Sequence, residues 1–124
     1  MKYKLVITGR LNNLNDYTNA CRTHQQKGGQ MKRKNEQKVL QAIYEQLSRV
    51  RIEKPVTVAY TWYEKDRRRD LDNVSSFGRK VIQDALVKAG VLKNDGWKEI
   101  RGFSDRFAVD ADNPRIEVEI EETE

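Results

Sequence analysis

The segment Val56–Asn73 reads VTVAYTWYEKDRRRDLDN and joins a strand pattern to a charged connection and the start of a helix pattern. In its first half, apolar side chains alternate with small or hydroxyl-bearing ones, which predicts a half-buried β-strand with a large aromatic contribution to one face. Its second half carries Arg67, Arg68 and Arg69 directly before Asp70-Leu71-Asp72-Asn73. The segment therefore predicts a strand, a basic connection and a helix, with two aspartates where the helix starts.

Three further strands are predicted by alternation of apolar and polar residues on either side of this segment. The first lies at the N-terminus and ends near Gly9, and the second covers Trp97–Phe107. The last is half buried and half wet, with glutamates at every second position between Ile116, Val118 and Ile120. Four strands in a chain of this length are enough for one small sheet.

Apolar residues at helical spacing predict two main helices, at about Met31–Val50 and Asn73–Ala89, and Gly90 follows the second as a helix-terminating residue. The segment Leu11–Gln30 has no clear period and is predicted to be a long loop with a short helical turn near Tyr17–Arg22. These elements predict an α/β fold of the α+β type. Residues 1–124 form a single domain in which a mixed sheet of about four strands packs against the two main helices.

The composition favours an anionic partner. The 124 residues carry 24 Lys and Arg against 19 Asp and Glu, which gives a formal net charge of +5. The remainder is more basic than this total implies, because five acids lie close to the C-terminus, at Glu117, Glu119, Glu121, Glu122 and Glu124. Nucleic acid is the leading candidate for such a surface, and solubility alone is the other explanation.

The same sequence argues against several other classes of protein. The single cysteine, Cys21, excludes an internal disulfide, and no Cys/His spacing predicts a zinc site. No apolar run has the length of a membrane span, and the N-terminus lacks the apolar core of a signal peptide. We therefore expect a cytoplasmic protein with no membrane partner.

Asp70 and Asp72 are the leading candidates for chemistry. Two carboxylates about 4 Å apart repel by roughly 4 kcal/mol at an effective dielectric of about 20, and a divalent cation between them relieves that repulsion. Because arginines pair well with phosphates, this setting predicts a nuclease. The two side chains point the same way only in extended backbone, so we expect the pair to precede the helix. The alternatives are a helix N-cap at Asp72 and a surface ion pair at Asp70.

Two later residues complete the candidate site. Lys80 lies about two helical turns after the aspartates, and Asp95 follows the helix as a possible third carboxylate. Each has an ordinary structural explanation as well. Lys80 has Asp84 one turn ahead as an ion-pair partner, and Asn94-Asp95-Gly96 is common turn chemistry.

Taken in order, these residues resemble the RusA family of Holliday-junction resolvases. The resemblance covers about Tyr60 to Ile100, and its most specific part is Arg68–Asn73. Toward the N-terminus, Gly9 and Asn15 match a loosely defined loop that approaches the family's active site. The matching motifs are Arg-Arg-Arg-Asp-Leu-Asp-Asn, Lys80, Asp84-Ala85-Leu86, Ala89-Gly90-Val91 and Asn94-Asp95.

The resemblance implies a set of site residues. In that family the two aspartates of the Asp-Leu-Asp segment and a later aspartate bind magnesium, and a helical lysine is essential for cleavage. Carried over, Asp70, Asp72 and Asp95 are the catalytic metal ligands for Mg²⁺, with Mn²⁺ as a substitute, and Lys80 is the catalytic lysine. The implied DNA-binding residues are Arg67, Arg68, Arg69, Lys32, Arg33, Lys34, Asn15 and Asn73.

Two departures from the family pattern affect these assignments. The helix after Asp72 is about one turn longer here, and counting without the insertion would put Ser76 at the lysine position. Asn94 stands where paired acids are usual, so Asp95 is matched to the catalytic member of that pair.

The resemblance also implies an activity and an assembly. The expected substrate is four-way DNA, cut in paired strands by an intertwined homodimer whose interface residues are drawn from Trp62, Tyr63, Phe77 and Trp97, unless these lie in the core of the monomer. The alternatives are a non-catalytic module that binds branched DNA, a nuclease with a broader range of flaps and branches, and an adaptor for an acidic protein.

Overall fold

The computed structural model describes residues 1–24 and 26–123. Its elements in chain order are β1 (Lys2–Thr8), α1 (Leu14–Thr23), α2 (Lys27–Gln46), β2 (Val56–Glu64), α3 (Leu71–Lys88), β3 (Ile100–Val109) and β4 (Arg115–Glu122). The four strands form one mixed sheet in the order β1-β4-β2-β3. The predicted α+β class and the four-stranded mixed sheet are therefore confirmed.

The sheet topology puts the start of α3 at a defined edge of the sheet. Strand β4 pairs antiparallel with both β1 and β2, whereas β2 and β3 are parallel. Parallel neighbours need a crossover connection, and α3 supplies it. Because α3 begins shortly after β2 ends, Asp70 and Asp72 lie at the edge where β2 and β3 both end.

The core lies between one face of the sheet and the helices. Trp62 on β2 is 2% exposed, and a Cβ atom added to Gly78 on α3 would lie 2.9 Å from its ring, so the glycine lets the helix pack directly on the indole. The indole Nε1 donates to Asp105 Oδ1 on β3 at 2.9 Å, and Arg79 Nη1 donates to Asp105 Oδ2 at 2.7 Å. These contacts fix the position of α3 over β2 and β3.

Three helix boundaries differ from the sequence-based prediction. Leu11–Gln30 was predicted to be mainly a loop, but Leu14–Thr23 is helical. This helix has no fully buried residue, although Tyr17 stacks on Phe77 of α3 at 4.5 Å between ring centroids. A capping box in which Asn13 and Asp16 bond each other's backbone N–H groups starts it. Helix α2 begins at Lys27 rather than Met31, and α3 begins at Leu71 rather than Asn73.

The structure also separates the four aromatic residues proposed for a dimer interface. Trp62 and Phe77 are buried in the core, Tyr63 is half-buried, and Trp97 is 95% exposed. The core explanation is therefore confirmed for Trp62 and Phe77. Within residues 1–24 and 26–123, none of the helices combines the length and the apolarity needed to cross a membrane.

The sheet face away from the core carries a ladder of ion pairs. Arg115 Nε donates to Glu117 Oε2 at 2.8 Å, and Lys4 Nζ lies 3.1 Å from Glu117 Oε1. The Arg115 hydrogen bond lowers the pKa of Glu117, and the smaller effect of burial opposes it. Because the pKa is lower in the folded chain, Glu117 stabilises the fold above its unfolded pKa of about 4.3, and this contribution is lost as the pH falls through the folded value.

We therefore expect Glu117→Gln to lower the melting temperature by about 1–5 °C near neutral pH. The difference from wild type should shrink as the pH falls below about 4, and differential scanning calorimetry across this range measures it. Glu119→Gln is the matched control, since its carboxylate is more exposed and lies 3.9 Å from Lys2. A difference that stays constant down to acidic pH would contradict this account of Glu117.

Candidate active site

Asp70 is positioned by the start of α3. It has extended backbone angles at the N-cap position of the helix, and its carbonyl accepts the first helical hydrogen bond from the Val74 N–H at 3.0 Å. Its carboxylate makes no capping bond to the helix. An aspartate at the N-cap usually accepts a hydrogen bond from the first turn of its helix. Because the Asp70 carboxylate makes no such bond, it is available for another partner.

Asp72 lies inside the helix, which corrects the expectation that both aspartates precede it. The helix starts at Leu71, two residues earlier than predicted, and the exposed Leu71 side chain adds nothing to the buried face of the helix. Asp72 is in the first turn, where the positive end of the helix dipole favours a carboxylate. Its carbonyl accepts from Ser76 Oγ at 2.6 Å, and its exposed side chain extends to solvent.

Two of the three arginines before the helix contact other groups in the described part of the chain. The backbone N–H of Arg68 donates to Asp66, and its guanidinium lies 3.8 Å from the same carboxylate. Arg69 Nη1 donates to the Leu11 carbonyl at 3.2 Å and lies 3.8 Å from Glu64. The suggested surface ion pair between Asp70 and these two arginines is therefore not formed among residues 1–24 and 26–123.

The sequence analysis missed Glu64, which pairs with two arginines, Arg10 and Arg69, close to the start of α3. It is a buried carboxylate at the end of β2, and Arg10 Nη1 donates to its Oε1 at 3.1 Å. With Arg69 as its second partner, Glu64 joins the chain after β1 to the segment that leads into α3. The signal was in the alternation of β2, because Glu64 continues the inward-facing series that includes Tyr60 and Trp62.

A buried asparagine on α2, Asn35, fixes the segment that leads into α1. Asn35 on α2 donates through Nδ2 to Asn12 Oδ1 at 2.8 Å, and its Oδ1 accepts from the Asn12 backbone N–H at 3.0 Å. Asn12 Nδ2 in turn donates to Asp16 at 3.2 Å. These bonds hold the segment before α1 against α2, and nothing in the local sequence pattern predicted them.

Lys80 and Asp95 are brought together as predicted, and Asp84 joins them. Lys80 Nζ lies 3.1 Å from Asp84 Oδ1 and 3.6 Å from Asp95 Oδ2. Lys32 on α2 reaches the other oxygen of Asp84 at 2.7 Å. The hydrogen bond to Asp84 raises the pKa of the Lys80 amine, although partial burial opposes the shift, so Lys80 carries a full positive charge at neutral pH.

Asp70 and Asp72 do not form one cluster with Asp84 and Asp95. Among residues 1–24 and 26–123, there is no group of three or more His, Cys, Asp or Glu side chains that could hold a metal ion. Asp72 and Lys80 are separated by eight residues of helix, a rise of about 12 Å. Carboxylate oxygens nevertheless suit Mg²⁺, which is usually held by one or two carboxylates together with waters and substrate phosphates. Asp70 and Asp72 supply the one or two carboxylates of this smaller ligand set, but with Asp72 inside the helix they do not form the extended pair that the sequence predicted.

A cleft of about 520 Å³ opens beside Asp70. Its walls are the segment before α3, the first turn of that helix and the end of β3, and its apolar part is formed by Leu71, Val74, Phe107 and Val109. Arg67 lines it on the charged side. The cleft therefore opens onto Asp70, with Glu64 and Asp66 as further acids in its lining.

The remaining predicted DNA-binding residues differ in exposure. Arg33 and Lys34 are exposed on α2, in its second turn instead of its first, since the helix starts at Lys27. Asn15 is exposed in the first turn of α1, and Asn73 is half-buried in the first turn of α3. That these residues contact DNA stays a prediction.

The comparison with known proteins agrees with the sequence resemblance. A model of the endodeoxyribonuclease RusA family matches residues 10–121 of the 124-residue chain. No curated protein matches the chain. The family match extends well beyond Tyr60–Ile100, since it also includes α1, α2 and most of β4. The chain belongs to the RusA family of endodeoxyribonucleases.

Proposed function

We propose that this chain is a Mg²⁺-dependent endodeoxyribonuclease that resolves four-way DNA junctions by paired cleavage. The observation that carries the proposal is the Asp70 carboxylate, which makes no capping bond at the N-cap of α3, with Asp72 in the first turn, in a member of an endodeoxyribonuclease family. Family membership supports DNA cleavage. The metal, the junction substrate and the roles of individual residues are our proposals.

Asp70 and Asp72 would hold the metal ion, and Asp95, which lies beside Lys80 and apart from this pair, is the further ligand that the family resemblance implies. Bound Mg²⁺ or Mn²⁺ supplies an activated water and neutralises charge on the phosphate. Asp70 is free for this role because its side chain does not cap the helix, and Asp72 lies next to it in the first turn of α3. The free N–H groups of the first turn of α3 would add positive potential toward a phosphate.

Lys80 would act on the same phosphate as a fixed positive charge. Its amine is protonated at neutral pH, so it stabilises negative charge that develops during cleavage, instead of removing a proton. Its side chain is 61% exposed, and its partner Asp95 belongs to the proposed ligand set. Ser76, the other candidate for the lysine position, donates its hydroxyl to the helix backbone and is already satisfied.

The basic residues before α3 and on α2 would bind the DNA backbone without reading its sequence. Arg67, Arg68, Arg33 and Lys34 are exposed for such contacts. Arg69 and Lys32 already pair with acids, so we propose that they add positive potential while holding the shape of the site.

We expect Arg67→Ala to weaken junction binding in EDTA by a similar factor for every junction sequence. The slope of log affinity against log salt should fall by about 1, because one phosphate contact is lost. Fluorescence anisotropy at several salt concentrations measures this slope. Arg49→Ala, in the turn that follows α2, is the matched control, and an equal loss of slope there would show that only net charge matters.

A substrate comparison tests the proposed function. Labelled four-way junctions, flaps and linear duplex are incubated with the protein in Mg²⁺, and the nicks are mapped. A junction resolvase makes symmetric paired nicks in the junction first, a homodimer being the natural way to present two sites to it. Faster cleavage of flaps would favour the broader nuclease, and junction binding without any nick would favour the non-catalytic module.

A further inference from the structure

A series of ion pairs, in which basic and acidic side chains alternate, runs along the contact between α2 and α3. Lys88 contacts Glu36, Glu36 lies 4.0 Å from Lys32, and Lys32 lies 2.7 Å from Asp84. The series continues from Asp84 to the proposed catalytic lysine and ends at Asp95. One end of the series is thus in the proposed active site, while the other is anchored on a buried glutamate.

Asp84, on α3, pairs with one lysine from each of the two helices. Its side chain is 18% exposed, and its two oxygens are divided between Lys32 Nζ and Lys80 Nζ. Burial alone would raise the pKa of Asp84, but the hydrogen bonds from the two lysines lower it below the ordinary value, so the carboxylate stays ionised. A half-buried, ionised carboxylate held from a second helix is a firm anchor for a long, flexible side chain.

Asp95 cannot provide the same anchor. It lies farther from Lys80 Nζ, at 3.6 Å, and its carboxylate is also a proposed metal ligand. Asp84 has no such second task. Because Lys32 also pairs with Asp84, the Asp84 charge is shared between two lysines. The Lys80 ammonium is therefore only partly neutralised and can act on a phosphate.

We infer that Asp84 is a positioning residue that holds the Lys80 ammonium in place for phosphodiester cleavage, with Lys32 as its support from α2. The inference rests on the proposed function, because it assigns a role to Asp84 in that same site. It adds a carboxylate that acts through Lys80 and touches neither substrate nor metal.

The test is a double-mutant cycle on junction cleavage with Asp84→Asn, Lys80→Met and both together. Asp84→Asn should lower the maximal rate by about 10–100-fold and change the KM by less than about twofold. The double variant should cleave within about twofold of Lys80→Met alone, because residues that act through one group are not additive. Asp112→Asn, an exposed change of the same chemistry in the turn after β3, should cleave like wild type.

A second measurement follows Lys80 without relying on cleavage. The rate at which an N-hydroxysuccinimide ester acylates Lys80, measured by mass spectrometry, should rise severalfold in Asp84→Asn and not in Asp112→Asn. An unchanged rate would overturn the positioning of Lys80. Multiplicative losses in the cycle, or wild-type cleavage by Asp84→Asn, would overturn the catalytic role of Asp84 while the proposed function stands. A wild-type protein that cleaves no substrate overturns the proposed function, and the catalytic role with it.

Discussion

Replacing Asp72 by asparagine is expected to lower junction cleavage by about 100-fold or more, with junction binding in EDTA unchanged or slightly tighter. Asparagine has nearly the same shape and is also tolerated in the first turn of a helix, so the change mainly removes the charge that a cation needs. The exposed carboxylate has no structural task that would explain such a loss. Single-turnover cleavage of a labelled junction in Mg²⁺ measures it.

The control for this experiment is a second aspartate of equal exposure. Asp112→Asn removes the same charge from an exposed residue in the turn between β3 and β4, which is not among the proposed site residues, and should retain the wild-type rate. Thermal unfolding of both variants checks that each is folded. If Asp72→Asn keeps cleavage within a few-fold of wild type, the site assignment is wrong.

The largest expected effect on stability comes from Trp62→Ala, at about 3–5 kcal/mol of unfolding free energy. The indole is 2% exposed, stacks on Tyr60 at 5.7 Å between ring centroids and packs against the backbone of Gly78. Its removal leaves a cavity beneath α3 and takes a hydrogen bond from Asp105. Because a domain of this kind has only about 5–15 kcal/mol of stability, the loss should be severe.

Trp97→Ala is the matched control for this prediction, since it deletes the same side chain from a residue that is 95% exposed. Its free energy of unfolding should stay within about 0.5 kcal/mol of wild type in urea titrations at low protein concentration. Equal destabilisation by the two substitutions would contradict the packing described here for Trp62. A stability loss for Trp97→Ala that appears only at high protein concentration would indicate that Trp97 lies in a homodimer interface.

Much of the fold could be predicted because its strands and two main helices bury one side. Alternation identified β2 and β4 closely, since each has an inward-facing series of apolar residues. Helix α1 was predicted only as a short turn near Tyr17–Arg22, because it is brief and none of its residues is fully buried. Its start is encoded in the capping pair Asn13 and Asp16, a short signal that the apolar pattern does not contain.

The candidate site could be predicted less completely, because its geometry depends on contacts between distant segments. Sequence spacing correctly put Lys80 near Asp95. It could not show that Asp84 is shared with Lys32, since that contact joins two helices. It also placed Asp72 before the helix, because the helix was predicted to begin at Asn73, two residues after its observed first residue, Leu71. The expected grouping of three aspartates stays a prediction, as the described residues do not form it.

The central claim is metal-dependent cleavage of a four-way junction by the site at the start of α3. The most direct measurement is mapping of nicks in a labelled synthetic junction incubated with the wild-type protein in Mg²⁺ and, in parallel, in EDTA. The account predicts symmetric paired nicks in Mg²⁺ and intact but bound junction in EDTA. Tight binding with no nick in Mg²⁺ or Mn²⁺, or nicks that persist in EDTA, would contradict it.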